Sequence, residues 1–330
     1  MWVVVIIGVI GICIVLHYVR AIRYISNPHE KYVFISGCGT GFGNKLAKSL
    51  DRRGVHVYAG CVLQSSVELL NSETSSRLKA FQLDITDISS VKHAFKFVQD
   101  DIGSKSLWAV VNNAAIPAAL VPFDWTTVED YKKVMDVNFF GILRTTLTFL
   151  PLLKRGKGGR IVNASSMNSR LNIMSNAYGI SKCSLEALSD GLSYEMRHFN
   201  ISVHTLQPSI FKTPMSDPDM HGRLIQAKWD RLPIDVKEQY GEQYIQDKIK
   251  YTKLLYMRNT CSDLSQVIQA YEHAILSRYP RNRYIVGWDA KFLYLPLSWL
   301  PFPIQFIILP FAQKLAGLQE PIPFSCTSSK

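Results

Sequence analysis

Paired cysteines are missing. The six cysteines, Cys13, Cys38, Cys61, Cys183, Cys261 and Cys326, form no CxxC and keep no regular spacing. That argues against a disulfide framework and a zinc site, gives no metal centre to expect, and points to a reducing compartment. Runs of Lys and Arg interleaved with aromatics are missing too, as are zinc-finger and helix-turn-helix patterns, so no nucleic-acid partner is expected. There is no internal repeat and no low-complexity tract. Permanent charge is absent from Trp2 to Val19, a stretch near the length needed to cross a bilayer. No basic segment precedes it and no small-residue cleavage site follows, so the expectation is an uncleaved anchor, with a buried N-terminal helix as the alternative. Arg20 and Arg23 follow at once, and the positive-inside bias then places the body of the protein on the cytosolic side of an endoplasmic reticulum membrane. Charge is also absent from Phe292 to Gln313, but Pro296, Pro301, Pro303 and Pro310 interrupt that stretch. It is therefore not one straight spanning helix. Either it lies in the interface with Tyr294 and Trp299 at headgroup depth, or it packs on the domain.

What is present in 330 residues is enough for one large α/β domain with decoration, and the hydrophobic fraction of 47% is ordinary for a packed globule. The net charge of +11 suits an anionic membrane surface or an anionic cofactor. Two sequons, Asn163-Ala164-Ser165 and Asn200-Ile201-Ser202, read as incidental, the first because it falls in a buried strand.

Taken in order, residues 31–35 read as a strand, Ser36 to Gly43 as a glycine-rich turn, and Asn44 to Arg53 as an amphipathic helix. Strand, glycine turn and helix make a site for a pyrophosphate, with backbone N–H groups and a helix N-terminus facing it. The spacing is GxxxGxG, in the context that such motifs need. A second strand, 55–59, ends in Gly60-Cys61-Val62-Leu63, which offers neither an acid for ribose hydroxyls nor an arginine for a 2′-phosphate. The absence of a basic residue favours NAD and leaves NADP open. A third strand, 78–83, runs into Asp84-Ile85-Thr86-Asp87; the acid either contacts adenine or caps a helix over 88–100. A fourth, 107–111, is closed by Asn112-Asn113-Ala114-Ala115, two amides able to tie neighbouring strand ends. A long helix opens at Thr126 or Thr127, runs to about Leu153 and carries Asn138. Further strands over 160–164, 201–206 and 283–286, and helices over 175–198, 218–230, 234–257 and from Asp263 to Ser277, complete an alternating pattern. It predicts a doubly wound parallel sheet of about seven strands.

Tyr178 and Lys182 lie four apart on the 175–198 helix and so share a face. A free tyrosine has a pKa of about 10 and is a poor base at neutral pH. A neighbouring ammonium favours the phenolate. Ser165 and Ser166, which end the preceding strand, can hydrogen-bond an alcohol or carbonyl held over the same spot, the equipment for moving a proton on and off a substrate oxygen.

The glycine turn 37–43, Asn112-Asn113-Ala114, Asn138, the strand-end serine and Tyr178-x-x-x-Lys182 together resemble the short-chain dehydrogenase/reductase family, over about residues 30–290. Ser277-Arg278-Tyr279-Pro280-Arg281-Asn282-Arg283-Tyr284, Gly287-Trp288-Asp289-Ala290-Lys291 and Leu295-Pro296-Leu297-Ser298 are similar to the C-terminal signature of its membrane-bound retinol and 3α/17β-hydroxysteroid dehydrogenases. The resemblance implies a Rossmann-type domain over 25–290 with a substrate lid over 215–260, flanked by an anchor over 1–24 and an apolar segment over 291–330. It implies Tyr178 as general acid/base, Lys182 as its electrostatic partner and a ligand of the nicotinamide ribose, and Asn138 as holder of a relay water. Ser166 is chosen over Ser165 because the retinol branch uses the second serine, twelve residues before the tyrosine; with Tyr178 it would hold the substrate. Gly37, Cys38, Thr40, Gly41, Phe42, Gly43, Asp84, Ile85, Asn112, Ala114, Tyr178, Lys182, Pro208 and Thr213 would contact an NAD cofactor. The implied partners are a small lipophilic alcohol or ketone and membrane lipid, with a homodimer open. Three positions depart from the pattern: Ala115 and Ser209 replace glycines, and Gly39 replaces an aspartate. A side chain at 209 is expected to crowd the nicotinamide pocket. The rival reading is a membrane-docked nucleotide-binding scaffold or lipid-binding protein.

Overall fold

In the computed structural model of the chain, which describes residues 23–172, 175–315 and 321–323 together with Gly8 and Gly11, seven strands form one sheet. These are β1 Tyr32–Ser36, β2 His56–Cys61, β3 Leu78–Gln82, β4 Ala109–Asn112, β5 Arg160–Ala164, β6 Ser202–Pro208 and β7 Arg283–Val286. Their order is β3-β2-β1-β4-β5-β6-β7, and every pairing is parallel. Parallel neighbours need crossover helices, which cover both faces of the sheet, so the strands are apolar on both sides rather than alternating.

Each face has its own core. Val33, Ile35, Val57, Ala59 and Val111 meet α1 (Gly41–Arg52), α2 (Gln64–Ser72) and the helix Ser265–Leu276. Phe34, Tyr58, Val110 and Ile161 meet α3 (Ile88–Ile102) and the helix Ile142–Lys154, with Phe34 stacked on Phe149 at 4.0 Å between ring centroids. Fully burying each such side chain contributes roughly 1.5–3 kcal/mol. The chain leaves β1 toward β2 on one side and returns to β4 on the other. That reversal opens a crevice at the carboxyl ends of β1 and β4, where ligands of open α/β sheets bind.

Element boundaries shift modestly from expectation. α1 begins at Gly41, inside the glycine turn, because the turn itself delivers the first helical residues. The helix expected over 127–153 is α4 (Val128–Met135), a π-helical turn Asp136–Gly141, and α5 (Ile142–Lys154). Thr127 caps it: its hydroxyl accepts from the Asp130 N–H, and the Asp130 carboxylate accepts in return. α6 spans Ala177–Met196 and α7 Pro218–Trp229. The helix expected over 234–257 is split by Gly241, at φ 82°, into α8 (Ile234–Tyr240) and α9 (Glu242–Asn259). α10 (Ser265–Leu276) follows, with the Asp263 carboxylate accepting from the Ser265 N–H at 3.0 Å.

The buried guanidinium of Arg160 terminates α10 by donating to the Ala274 carbonyl at 2.8 Å and the Ser277 carbonyl at 2.6 Å. A cation at a helix C-terminus is favourably placed. Next to it on the sheet, His204 is 1% exposed. Its Nδ1 lies 2.7 Å from the Arg281 carbonyl and its Nε2 2.8 Å from the Ser202 hydroxyl. A carbonyl only accepts, so Nδ1 carries the proton and the ring is neutral. Burial first, with repulsion from Arg160 and His273 adding, pulls His204 down to about 4. A lowered histidine stabilises the fold above its ordinary range, and that stability is lost as pH falls from about 6.5 toward 4. Urea midpoints compared between the parent and His204→Gln should therefore diverge over that window, with a parent-specific loss on the order of 3 kcal/mol at its acid end.

The anchor expected over 1–24 lies almost wholly outside the described residues. Among those described, no helix is long and apolar enough to cross a membrane. After β7 the chain forms a π-helical turn (Ala290–Tyr294), α11 (Leu295–Ser298) and α12 (Phe302–Leu315). Leu297 and Leu309 are buried against Leu171, in the loop that follows β5.

Candidate active site

The floor of the crevice is built by the glycine turn. Gly37 and Gly41 take φ 73° and 62°, a region that disfavours a Cβ. The Gly37 backbone lies against Ala114: a Cβ there would stand 2.7 Å from the Ala114 Cα. Asn113 locks this approach. Its Nδ2 donates to the Ser36 and Gly37 carbonyls at 3.2 and 3.0 Å, and its Oδ1 accepts from Tyr271 at 3.2 Å. Two amides after a strand do tie strand ends together, but Asn112 works on the other side, donating to Thr146 at 2.9 Å and Asn163 at 2.8 Å. Its side chain is fully buried toward α5, away from the crevice where a cofactor contact was expected.

The Thr40 hydroxyl makes no bond to the first turn of α1, so the helix N–H groups remain available to an anion. The loop after β6 closes over this end, with Thr213 3.7 Å from where a Gly41 Cβ would stand and Phe42 edge-on to Phe211 at 6.1 Å. Cys38 is buried, with its thiol on the Ile35 carbonyl at 3.4 Å, and offers the crevice only its backbone. These glycines and uncapped N–H groups fit a dinucleotide.

The helix cap expected at Asp84 falls to the neighbouring acid. Asp87 caps α3 through the Ser89 and Ser90 N–H groups. Asp84 instead braces its own turn, accepting from the Thr86 N–H and hydroxyl at 2.8 and 2.7 Å, and stays exposed. Ile85 is buried against Gly141.

The four residues expected to act on substrate come from three elements. β5 ends in the serines. Ser165 is turned inward, donating to the Ser169 hydroxyl at 3.1 Å, while the Ser166 hydroxyl caps the short turn 167–169 by accepting from the Asn168 N–H at 3.2 Å and lies near enough to Tyr178 to pull its phenol down. Tyr178 and Lys182 rise from the first two turns of α6, with the Lys182 Nζ 5.6 Å from the Tyr178 ring centroid. Asn138 is fully buried in the π-helical turn. Its Oδ1 accepts from the Ile116 N–H at 2.8 Å, and its Nδ2 donates to the Ile116 carbonyl at 3.0 Å and the Ser181 hydroxyl at 3.1 Å. Both amide protons are thus engaged by protein, which leaves the side chain one oxygen lone pair for a water.

The electrostatics differ from the simple expectation. Burial pushes the Tyr178 phenol up, and its bond with Ser166 pulls the other way. The Lys182 ammonium donates to the Ala164 carbonyl at 2.6 Å, and burial draws it down to about 8. α9 brings Tyr256, stacked on His221 at 4.0 Å, and α10 brings Tyr271; burial raises both phenols, and the Tyr178 charge raises them further.

The departure at Ser209 has a local solution. A Cβ on Gly287 would stand 2.4 Å from the Ser209 Oγ and 2.7 Å from Asp289 Oδ1, so the added side chain sits in the space that glycine leaves beyond β7. Ser209 is seated against Gly287, a relation between residues on separate strand ends that local sequence does not signal. Gly39, the aspartate position of the branch, faces Ser66 on α2.

A family profile described as short chain dehydrogenase matches residues 31–223. This chain belongs to the short-chain dehydrogenase family. It is therefore an oxidoreductase. Dehydrogenase/reductase SDR family member 9 of Bos taurus is 41% identical over 91% of this chain and 94% of that protein. Retinol dehydrogenase 7 of Rattus norvegicus is 40% identical over 89% and 92%. 17-beta-hydroxysteroid dehydrogenase type 6 of the same species is 38% identical over 92% and 96%. Among solved structures, a short-chain dehydrogenase from Streptomyces avermitilis superposes with a TM-score of 0.65 at 21% identity, covering 87% of this chain and 97% of that one. The likeness of fold is thus wider than the likeness of sequence.

Proposed function

We propose that this short-chain dehydrogenase interconverts a lipophilic secondary or allylic alcohol and its carbonyl, a retinoid or a 3α- or 17β-hydroxysteroid, using NAD. The observation that carries the reading is the convergence of Ser166 on Tyr178, above Lys182, beside a glycine crevice whose shape suits a dinucleotide. In oxidation the Tyr178 Oη takes the hydroxyl proton and the Ser166 Oγ holds the substrate oxygen. The Lys182 ammonium stabilises the phenolate and would hold the nicotinamide ribose, and Asn138 fixes the loop at Ile116 against α6. When bound, the nicotinamide supplies the hydride acceptor. NAD is preferred to NADP on the uncharged end of β2 and the small residues Gly39 and Ser66 beside it. Nicotinamide absorbance followed with a panel of retinols and hydroxysteroids tests the reading. Turnover of at least one is expected, and none at all would favour the scaffold.

The same reading places the enzyme on a membrane, with 1–24 as anchor and its body cytosolic on the endoplasmic reticulum. Trp288, Phe292, Trp299, Phe302, Phe306, Ile307 and Phe311 are all exposed, while α12 touches the domain along one edge at Leu309. So many contiguous apolar side chains left in water mark an interaction surface, and aromatic rings suit headgroup depth. In protein lacking residues 1–24, substituting Trp299 and Phe306 with glutamate should cut flotation with lipid vesicles severalfold without changing turnover of a soluble alcohol.

A further inference from the structure

α6 carries a second buried charge that no step above uses. Glu186 follows Lys182 by four residues, so the two side chains share one helix face a turn apart. Lys182 is 1% exposed and Glu186 8%. Glu186 Oε2 accepts from the Thr205 hydroxyl and from Arg283 Nε, both at 3.4 Å, and its Oε1 has no protein partner. Arg283 is divided, since its Nη2 is bonded to Asp190, and it is more than a third exposed, so solvent screens its hold on Glu186. Among the described residues Lys182 enters no ion pair, and its ammonium donates to the neutral Ala164 carbonyl. A buried ammonium calls for a counter-charge.

The other groups around the pair are few. Tyr178 and Cys183 lie on α6, Arg283 on β7, Tyr256 on α9 and Tyr271 on α10. β5 also carries Arg160, bonded to the Ala274 and Ser277 carbonyls, and β6 carries His204, bonded to the Ser202 hydroxyl and the Arg281 carbonyl. The other side chains of these strands are neutral, among them Gln207, fully buried with neither amide atom partnered. The π-helical turn presents Asn138. Glu186 is the buried carboxylate of this set; Asp190, one turn further along α6, is exposed and bonded to Arg283.

We propose that Glu186 is a positioning residue for the reaction: from one turn below, its carboxylate holds Lys182 as a cation beneath the Tyr178 ring and so sets the pH range over which Tyr178 exchanges its proton. The proposal rests on the alcohol-oxidoreductase reading. Burial lowers Lys182, and the negative charge of Glu186 opposes that. Without it the ammonium would lose its proton within the physiological range, and the phenolate would lose its stabilising charge.

The test follows Lys182 directly in the cofactor-free, full-length protein, by NMR titration of ¹³C-labelled lysine side chains, its signal assigned by its loss in Lys182→Met. Glu186→Gln should lower the midpoint by about one pH unit, a difference of about 1.4 kcal/mol. Arg283→Gln removes a cation that shares Glu186 and should move the midpoint up. Thr205→Val deletes a hydrogen bond but no charge and should leave it in place, and Glu186→Asp should restore most of the shift. The alkaline limb of kcat/KM for oxidation, where Lys182 loses its charge, should move in the same directions. Unmoved midpoints in Glu186→Gln and Arg283→Gln would overturn the proposal. Should Glu186→Gln not fold, the half-exposed Arg283 still decides, because absence of an upward shift is equally fatal. A fully active Tyr178→Phe enzyme would instead sink the functional reading and leave the lysine titration intact.

Discussion

Phenylalanine in place of Tyr178 should remove alcohol oxidation, lowering kcat by about a thousandfold or more, while affinity for the dinucleotide stays nearly unchanged. A positioned acid or base contributes on the order of 10²–10⁴ in rate, and here the phenol is also the group that Ser166 orients. The glycine turn, the N-terminus of α1 and Thr213 are untouched by the change, so the crevice should keep its shape. Absorbance kinetics with an accepted alcohol, beside cofactor binding read from tryptophan fluorescence, separates the two effects. Parent-like oxidation by Tyr178→Phe would refute the mechanism. Because burial raises the phenol, oxidation by the parent should climb with pH and carbonyl reduction should fall, since one direction needs the phenolate and the other the phenol.

The second large effect is expected at Gly43. A Cβ there would stand 2.3 Å from the Gly37 carbonyl oxygen and 2.5 Å from the Asn113 Nδ2, the atoms that hold the turn to β4. Backbone on one side and a doubly bonded amide on the other leave nothing flexible to give way. Overpacking of this kind costs about 1–3 kcal/mol or more, so Gly43→Ala should weaken dinucleotide binding by roughly tenfold to a hundredfold. Gly191→Ala on α6 is the control, because nothing lies within 4 Å of its Cβ position. It should leave binding unchanged and raise the melting temperature slightly, since alanine is the better helix former. Gly43→Ala with parent-like cofactor affinity would mean that this turn does not cradle the ligand.

Much of the site is legible along the chain. Tyr178 and Lys182 are read as neighbours from a spacing of four, and the glycine turn is read from its place between an apolar strand and an amphipathic helix. Other features are not. Asp84 and Asp87 are both plausible caps by composition, and only the path of the backbone shows that Asp87 reaches the N–H groups of α3. Asn138 looks like a mildly unfavourable mid-helix residue, yet it sits in a π-helical turn because its amide clamps Ile116 to Ser181. Ser165 and Ser166 are adjacent and alike in sequence. Their strand geometry sends one hydroxyl to Ser169 and the other to Tyr178.

The sequence by itself determined the alternating α/β architecture, the order of the motifs and the faces that local residues share, because helix and strand periodicities are set within a few residues. Only the tertiary structure decided what meets across the sheet. Glu186 shares Arg283, 97 residues away, Thr213 closes on Gly41, and Ser209 is seated against Gly287. A parallel sheet joins strands through long crossovers, so the contacts that set charge and space in the crevice come from segments that no local pattern relates.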